Sequence, residues 1–594
     1  MTDSKQLNRE LGTETVLWRL DDLYASPECT SFNDDSRWCR DQAKTIEKEY
    51  HNRITALSAA DLLALVSRLE ALECRLGKLL TYSFLYFTTQ IDNEAAGALY
   101  QQVHELANDC HKQSVFFELE WNNLDQEKAA HLLQDRILLP YQHYLSSLRR
   151  YHPHQLVEAE EKLLIELKSV GRKSWTTLFE KVIGNLRFGA AKRTEEEVLS
   201  DLYHNDRGIR KQAADDLTQG LQSQGHILTH IYNTLAADKM VSDRLRSYRY
   251  WVSSMNLDNQ IDDHTVETLI DAVTSRYDLV SRYYRLKGSL LGLDTLYDYD
   301  RYAPLPSLPT TRIDWKSCRE IILGSFADFS GELAAIAEQF FEKSWIHAPV
   351  WQGKRGGAFA HPCVPEIHPY LMVNYTGTHR DVSTVAHELG HGVHQVLASK
   401  KGYFNSETPL TLAETASVFA EFLVFKAQLK IINKPEEKRA FICQKLESVF
   451  ATVFRQVAMN RFENLMHQGR RNRGELSSDD LSSSWMQTQQ EMFGNGVVLR
   501  EDYRIWWSYI PHFLNAPGYV YSYAFGELLV LALYGLYQQE GDRFVEKYFT
   551  LLAAGGSASP YDLLSPFGID LNDPSFWHQG LSVIEEILTE VENS

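Results

Sequence analysis

Three observations predict a mainly α fold. Gly and Pro supply only 32 and 17 of the 594 residues, about 8% together against a usual figure near 12%. Apolar residues recur at spacings of three and four through long stretches, and only one segment reads convincingly as a strand. A chain of 594 residues is too long for one ordinary core, so two or more lobes, or one large multilayer body, are expected.

The elements follow in chain order. The opening "MTDSKQLNRELGTETVLW" has neither the apolar core of a secretory signal nor the Arg-rich, acid-poor character of a transit peptide. A cytoplasmic protein is expected. From Asp35 to about Ser200, segments such as "LSAADLLALVSRLEALECRLGKLLTYSFLY" predict helical hairpins. The stretch 301–315, with Pro304, Pro306 and Pro309, predicts an extended connector, because proline cannot sit within a helix. "GKRGGAFAHPC" (353–363) reads as a glycine-rich loop. "EIHPYLMVNYTGT" (366–378) reads as the strand, with Pro369 suited to an edge position. The longest apolar run, "LLVLALYGLY", falls well short of the about 18 residues a membrane span requires.

Charge and cysteine usage narrow the function. A net charge of -19 argues against general affinity for nucleic acid or anionic membrane, both of which demand a positive surface. Seven scattered cysteines without a C-x-x-C pair read as free thiols.

The chemistry concentrates in "VAHELGHGVHQ" (385–395). On a helix, Val382, Val385, Ala386, Leu389, Val393, Val396 and Leu397 form one apolar stripe, and His387 and His391 lie together on the opposite side. One turn apart, their imidazoles can converge on a single ion, with Glu388 on one flank. With 21 histidines and 79 acidic residues in the chain, fewer than about 0.1 such H-E-x-x-H matches are expected by chance. His394 lies seven residues from His387, about 10.5 Å of helix axis, which is too far to share that ion. Core packing or a substrate-side hydrogen bond suits it better.

A zinc hydrolase needs a third protein ligand. Metzincin spacing would require Gly at 394 and His at 397, where this chain has His394 and Leu397. The acids available are Glu407, Glu414 and Glu421. Glu414 and Glu421 lie two turns apart on one face of the helical segment 411–430, so either could ligate while the other orients a histidine. Thr411 and Glu414 also have capping-box spacing, which would give Glu414 a purely local partner.

Together with "NYTGTHRDVSTVAHELGHGVH" and "AETAS", the stretches "YRLKGSLLGLDTLYDYDRYAPL", "KSVGRKSWTTLFEKVIGNLRF", "GKRGGAFA", "IPHFLNAPGYVYSYAFGELL" and "GGSASPYDLLSPFGIDLNDPSFW" resemble the oligoendopeptidase F branch of the M3 metallopeptidases, relatives of thimet oligopeptidase. The resemblance spans most of the chain. It implies a two-lobed multihelical zinc-peptidase fold with a small β-sheet beside a deep active-site channel. An N-terminal helical lobe would cover 1–200, with a family-specific domain at about 115–188, and a catalytic domain 201–594. It also implies one Zn²⁺ per chain on His387, His391 and Glu414, with Glu421 orienting a ligand and Glu388 activating a zinc-bound water. Tyr523 becomes the oxyanion donor, alongside His512, and Tyr519 and Tyr521 become substrate contacts. The tyrosine spacing after His512 is about one residue shorter than in thimet-like relatives. The strand near 370–375, with Asn374 and Gly377, would hold the substrate by β-augmentation.

The activity implied is cleavage of internal bonds in short oligopeptides, by a monomer or homo-oligomer. The alternatives are a dipeptidyl carboxypeptidase-type exopeptidase of the same superfamily and a non-catalytic peptide-binding relative. The intact Glu388 speaks against the binder, which has no use for a base.

Overall fold

The computed structural model describes residues 4–168, 170–308 and 311–593. It is mostly helical, with one small sheet. The chain divides into two compact units, each assembled from three separated segments. The first comprises Met1–Lys162, Thr310–Ile431 and Leu536–Gly568, and the second Leu163–Pro309, Ile432–Gly535 and Ile569–Ser594. Pro309 lies outside the described residues; the residues before it, 301–308, form turns and irregular backbone, and a helix resumes at Trp315, capped by the Asp314 carboxylate.

In the first unit the amphipathic periodicity becomes a set of packed helices, Thr30–Tyr50, Ala59–Thr88 and Glu94–Ser114. The longest begins at a capping box in which Ser58 and Asp61 satisfy each other's backbone donors. Its buried Leu62, Leu65, Leu69, Leu72, Leu76 and Leu79 keep the three-and-four spacing that turns one face inward. All seven cysteines are free thiols. Among the described residues no helix is long and apolar enough to cross a membrane.

The sheet corrects the sequence reading in two respects. Its strands are β1 (Ile346–His347), β2 (Phe359–His361) and β3 (Tyr370–Met372), in the order β1-β3-β2. β1 runs parallel and β2 antiparallel to β3, so the strand expected at 366–378 is short and central. Pro369 precedes its first residue, and the ladder donors are Leu371 and Val373, which bond Trp345 O and His347 O at 2.9 and 3.0 Å. The two edges are the buried β1 and the half-buried β2, the latter cut from the segment that reads as a glycine-rich loop. Lys354 Nζ ties that loop to the sheet through Pro349 O and Val373 O, both at 2.7 Å. Burial pushes this ammonium down to about 7.

Behind the sheet, the helix His379–Ala398 crosses the helix Leu410–Ile431. The crossing is close because position 390 is glycine: a Cβ there would lie 2.5 Å from Ala416 O and 2.6 Å from Ser417 Cα. At Gly392 a Cβ would meet Phe340 Cζ at 2.7 Å, so the same helix also sits tightly against its other neighbour. Gly390→Ala should therefore lower unfolding free energy by about 1–3 kcal/mol, the usual cost of overpacking. The control is Gly324→Ala, within the helix Trp315–Phe329, where an added Cβ meets nothing within 4 Å. It should be neutral or stabilise by up to about 1 kcal/mol. Denaturant titration of both variants checks the contrast.

Candidate functional site

The histidine helix starts at Thr378, whose hydroxyl accepts from Asp381 N at 3.1 Å while Asp381 Oδ2 accepts from Thr378 N at 2.9 Å. Asp381 Oδ2 also accepts from Thr376 N and Oγ1, at 3.1 and 2.6 Å, which fixes the entry of the chain. Val382, Val385, Ala386, Leu389 and Val393 are fully buried, as the stripe predicts, and Val396 is partly exposed. The stripe anchors one face and aims the other at Leu410–Ile431.

That face carries the site. His387 Nε2 and His391 Nε2 lie 3.4 and 3.6 Å from the same Glu414 oxygen, and the two rings are 5.0 Å apart. Tetrahedral zinc with bonds near 2.1 Å separates its ligand atoms by about 3.4 Å, so this donor set fits one metal ion. Glu414 is held by Ser417, whose hydroxyl donates to the same carboxylate oxygen at 2.8 Å. On the far side of the His387 ring, Nδ1 lies 3.4 Å from Glu421. One imidazole thus spans two carboxylates that stand two turns apart on the facing helix.

The electrostatics follow from burial and this pairing. Burial alone would lower His387, but its bond to Glu421 and the charge of Glu414 outweigh it and raise the ring to about 9. Burial pushes the Glu388 carboxyl up to about 7, against the pull of His387 and a hydrogen bond from Ala360 N–H. Burial lowers His391 to about 4 and His394 likewise.

His394 is not among the metal-capable group; its Nε2 lies 3.3 Å from the Thr408 hydroxyl, within the core. The capping-box alternative for Glu414 does not form: the helix begins at Leu410, and the buried Thr411 hydroxyl has no hydrogen-bond partner among the described residues. Asn374 donates both amide hydrogens within the fold, to Arg355 O at 3.0 Å and Gly357 O at 2.9 Å. Gly377 adopts φ 86° and leaves no room for a side chain, a Cβ there meeting Leu11 at 2.7 Å. His512, Tyr519, Tyr521 and Tyr523 belong to the second unit. There Tyr523 lies 4.9 Å from Tyr519 and 6.2 Å from His512, ring to ring. Tyr521 is fully buried, and its hydroxyl accepts from Asn259 Nδ2 at 2.9 Å. Two participants escape sequence reasoning. Ser417 sits in "AETAS" with nothing in its spacing to mark a carboxylate donor, and Ala360 acts through its backbone.

Residues 332–583 match the profile described as Peptidase family M3, and residues 120–188 that described as Oligopeptidase F. Oligopeptidase PepF of Bacillus subtilis is 26% identical, over 100% of this chain and 90% of its own length. An oligoendopeptidase F homolog of Lactococcus lactis is 24% identical, with 98% of both chains covered. Among solved structures, a Chlamydophila abortus protein superposes with TM-score 0.84 at 24% identity, covering 97% of this chain and 98% of that one. Oligoendopeptidase-F from Enterococcus faecium superposes with TM-score 0.73 at 21% identity, covering 95% and 98%.

If Glu421 orients His387, Glu421→Ala should weaken divalent-metal affinity by about 10–100-fold. His391→Ala, which deletes a ligand, should weaken it further. Competition against a chromophoric chelator measures both, and an unchanged affinity in Glu421→Ala would contradict the assignment.

Proposed function

The chain is an oligoendopeptidase F-like peptidase of family M3, and from that premise we propose that it is a zinc-dependent endopeptidase of short oligopeptides in the cytoplasm. The observation that carries the reading is the convergence of His387, His391 and Glu414, with the buried Glu388 beside them on the same helix. Two imidazoles and one carboxylate are the donor set of catalytic zinc sites. His387, His391 and Glu414 would hold a zinc ion, which would supply Lewis acidity toward a carbonyl oxygen and a water.

Glu388 is the general base. Its carboxylate takes a proton from the water whose oxygen adds to the carbonyl carbon, and returns that proton to the amine nitrogen as the C–N bond breaks. Glu421 keeps His387 in the tautomer and orientation that present Nε2 as a donor. By family resemblance, Tyr523 donates to the developing oxyanion, and His512 and Tyr519 contact the substrate. Tyr521, buried and bonded to Asn259, is given no substrate role.

The peptide backbone binds by β-augmentation at β2 rather than at β3, which is paired on both sides. The Ala360 N–H bond to Glu388 brings β2 next to the base, and a bound peptide would take over that N–H from Glu388, since Ala360 is the residue of β2 that faces away from β3. A strand edge reads backbone groups, which suits extended, unstructured peptides and not folded proteins.

Glu388→Gln should keep its metal and lose about 10²–10⁴-fold in kcat, the usual contribution of a positioned general base. Full activity in the variant would sink the mechanism. A peptide blocked at both termini should still be cut internally, as mass spectrometry of the products would show. Cleavage of only the unblocked peptide would identify an exopeptidase.

A further inference from the structure

Within the second unit, one cluster buries more positive charge than it neutralises. Lys287 is fully buried and pairs with Glu447 at 2.5 Å. Next to it, Arg301 is 3% exposed, and its Nη1 donates to the Tyr503 hydroxyl at 2.8 Å. Arg455, half-buried, donates from Nη1 to the Tyr302 hydroxyl at 2.9 Å. Neither guanidinium forms an ion pair among the described residues, and the Nε atoms of both are buried without a hydrogen-bond partner. Three cations therefore share one carboxylate. Buried charge left in this state is costly, and guanidinium is the side chain whose planar fork matches a carboxylate.

Aromatic contacts lead from the cluster to the exposed Tyr203 and toward His512 of the same unit. Tyr302, whose ring centroid is 4.6 Å from Arg301 Cζ, stacks on the exposed Tyr203 at 4.9 Å. Trp506, 5.6 Å from the same guanidinium, is 6.3 Å from Tyr509, three residues before His512. The local field is positive: burial would raise the Tyr302 phenol, but Arg301 and Arg455 outweigh it and hold it below its ordinary value. Burial lowers His512, and the charge of Arg455 lowers it further.

We propose that Arg455, backed by Arg301 and Tyr302, is a binding site for a carboxylate of the peptide substrate. The proposal rests on the peptidase reading above and makes the enzyme selective for peptides with a free C-terminal carboxyl group or an acidic side chain. Arg455 supplies the charge and its remaining N–H donors, and the buried Arg301 adds a second positive charge.

The test uses one nonapeptide as the free acid and as the C-terminal amide, together with amidated versions carrying Glu or Gln at each position beyond the cleaved bond. Binding to the non-turnover variant Glu388→Gln is measured by calorimetry, and cleavage by the wild type is followed in parallel. The expected result is that a carboxylate-bearing member binds about ten-fold or more tightly than its neutral partner, the factor a charge-assisted hydrogen bond provides. The acid–amide pair and the Glu–Gln pairs identify which carboxylate is read. In the Glu388→Gln background, Arg455→Met should abolish the difference by weakening only the carboxylate-bearing peptide, and Arg455→Lys should retain part of it. Thermal unfolding of each variant separates this from misfolding. Equal binding of all pairs, or a preference that survives Arg455→Met in a folded protein, overturns the proposal. Selective binding without cleavage by the wild type would instead overturn the catalytic reading and leave the carboxylate site standing.

Discussion

Everything in the metal-capable site depends on how closely two helices cross. Gly390 lies between His387 and His391 and presses directly on the backbone of Ala416 and Ser417, two and three residues beyond Glu414. Any side chain at 390 would push the helices apart. The separations of 3.4 and 3.6 Å between the imidazoles and Glu414 are thus set by a residue that carries no chemistry of its own.

The same crossing divides labour between two carboxylates. Glu414 and Glu421 are seven residues apart, about 10.5 Å along the helix axis, yet both reach His387, one at each ring nitrogen. An imidazole presents one nitrogen to an ion best when the other donates to a fixed acceptor, which sets the tautomer and the ring orientation, and Glu421 stands where it can be that acceptor. Ser417 does for Glu414 what Glu421 does for His387, and it comes from the same turn that packs on Gly390.

Much of this was legible in the sequence, and the gaps have physical causes. The helical stripe and the placement of His387 and His391 follow from a 3.6-residue period, which is a local property. Glu414 could not be chosen over Glu421 by spacing alone, because both point to the same face and only the crossing decides which reaches Nε2. The strand's length and its central position are not legible for a related reason. A strand is completed by partners distant in sequence, and Asn374, Thr376 and Thr378, which extend its apparent β pattern, are spent on bracing a loop and capping a helix. β2 is hidden by the glycines that precede it, Gly353, Gly356 and Gly357. Tyr521 reads like Tyr519 and Tyr523 in sequence, and only burial separates it from them.

The central claim is that His387, His391 and Glu414 together hold one catalytic ion. X-ray absorption at the zinc edge of the purified protein, with metal content determined on the same sample, tests it most directly. The account predicts one zinc per chain, bound by two imidazole nitrogens and carboxylate oxygen at about 2.0–2.2 Å, with the imidazole signal reduced in His391→Ala. Thiolate ligation, or zinc whose imidazole shell is unchanged in that variant, would contradict it.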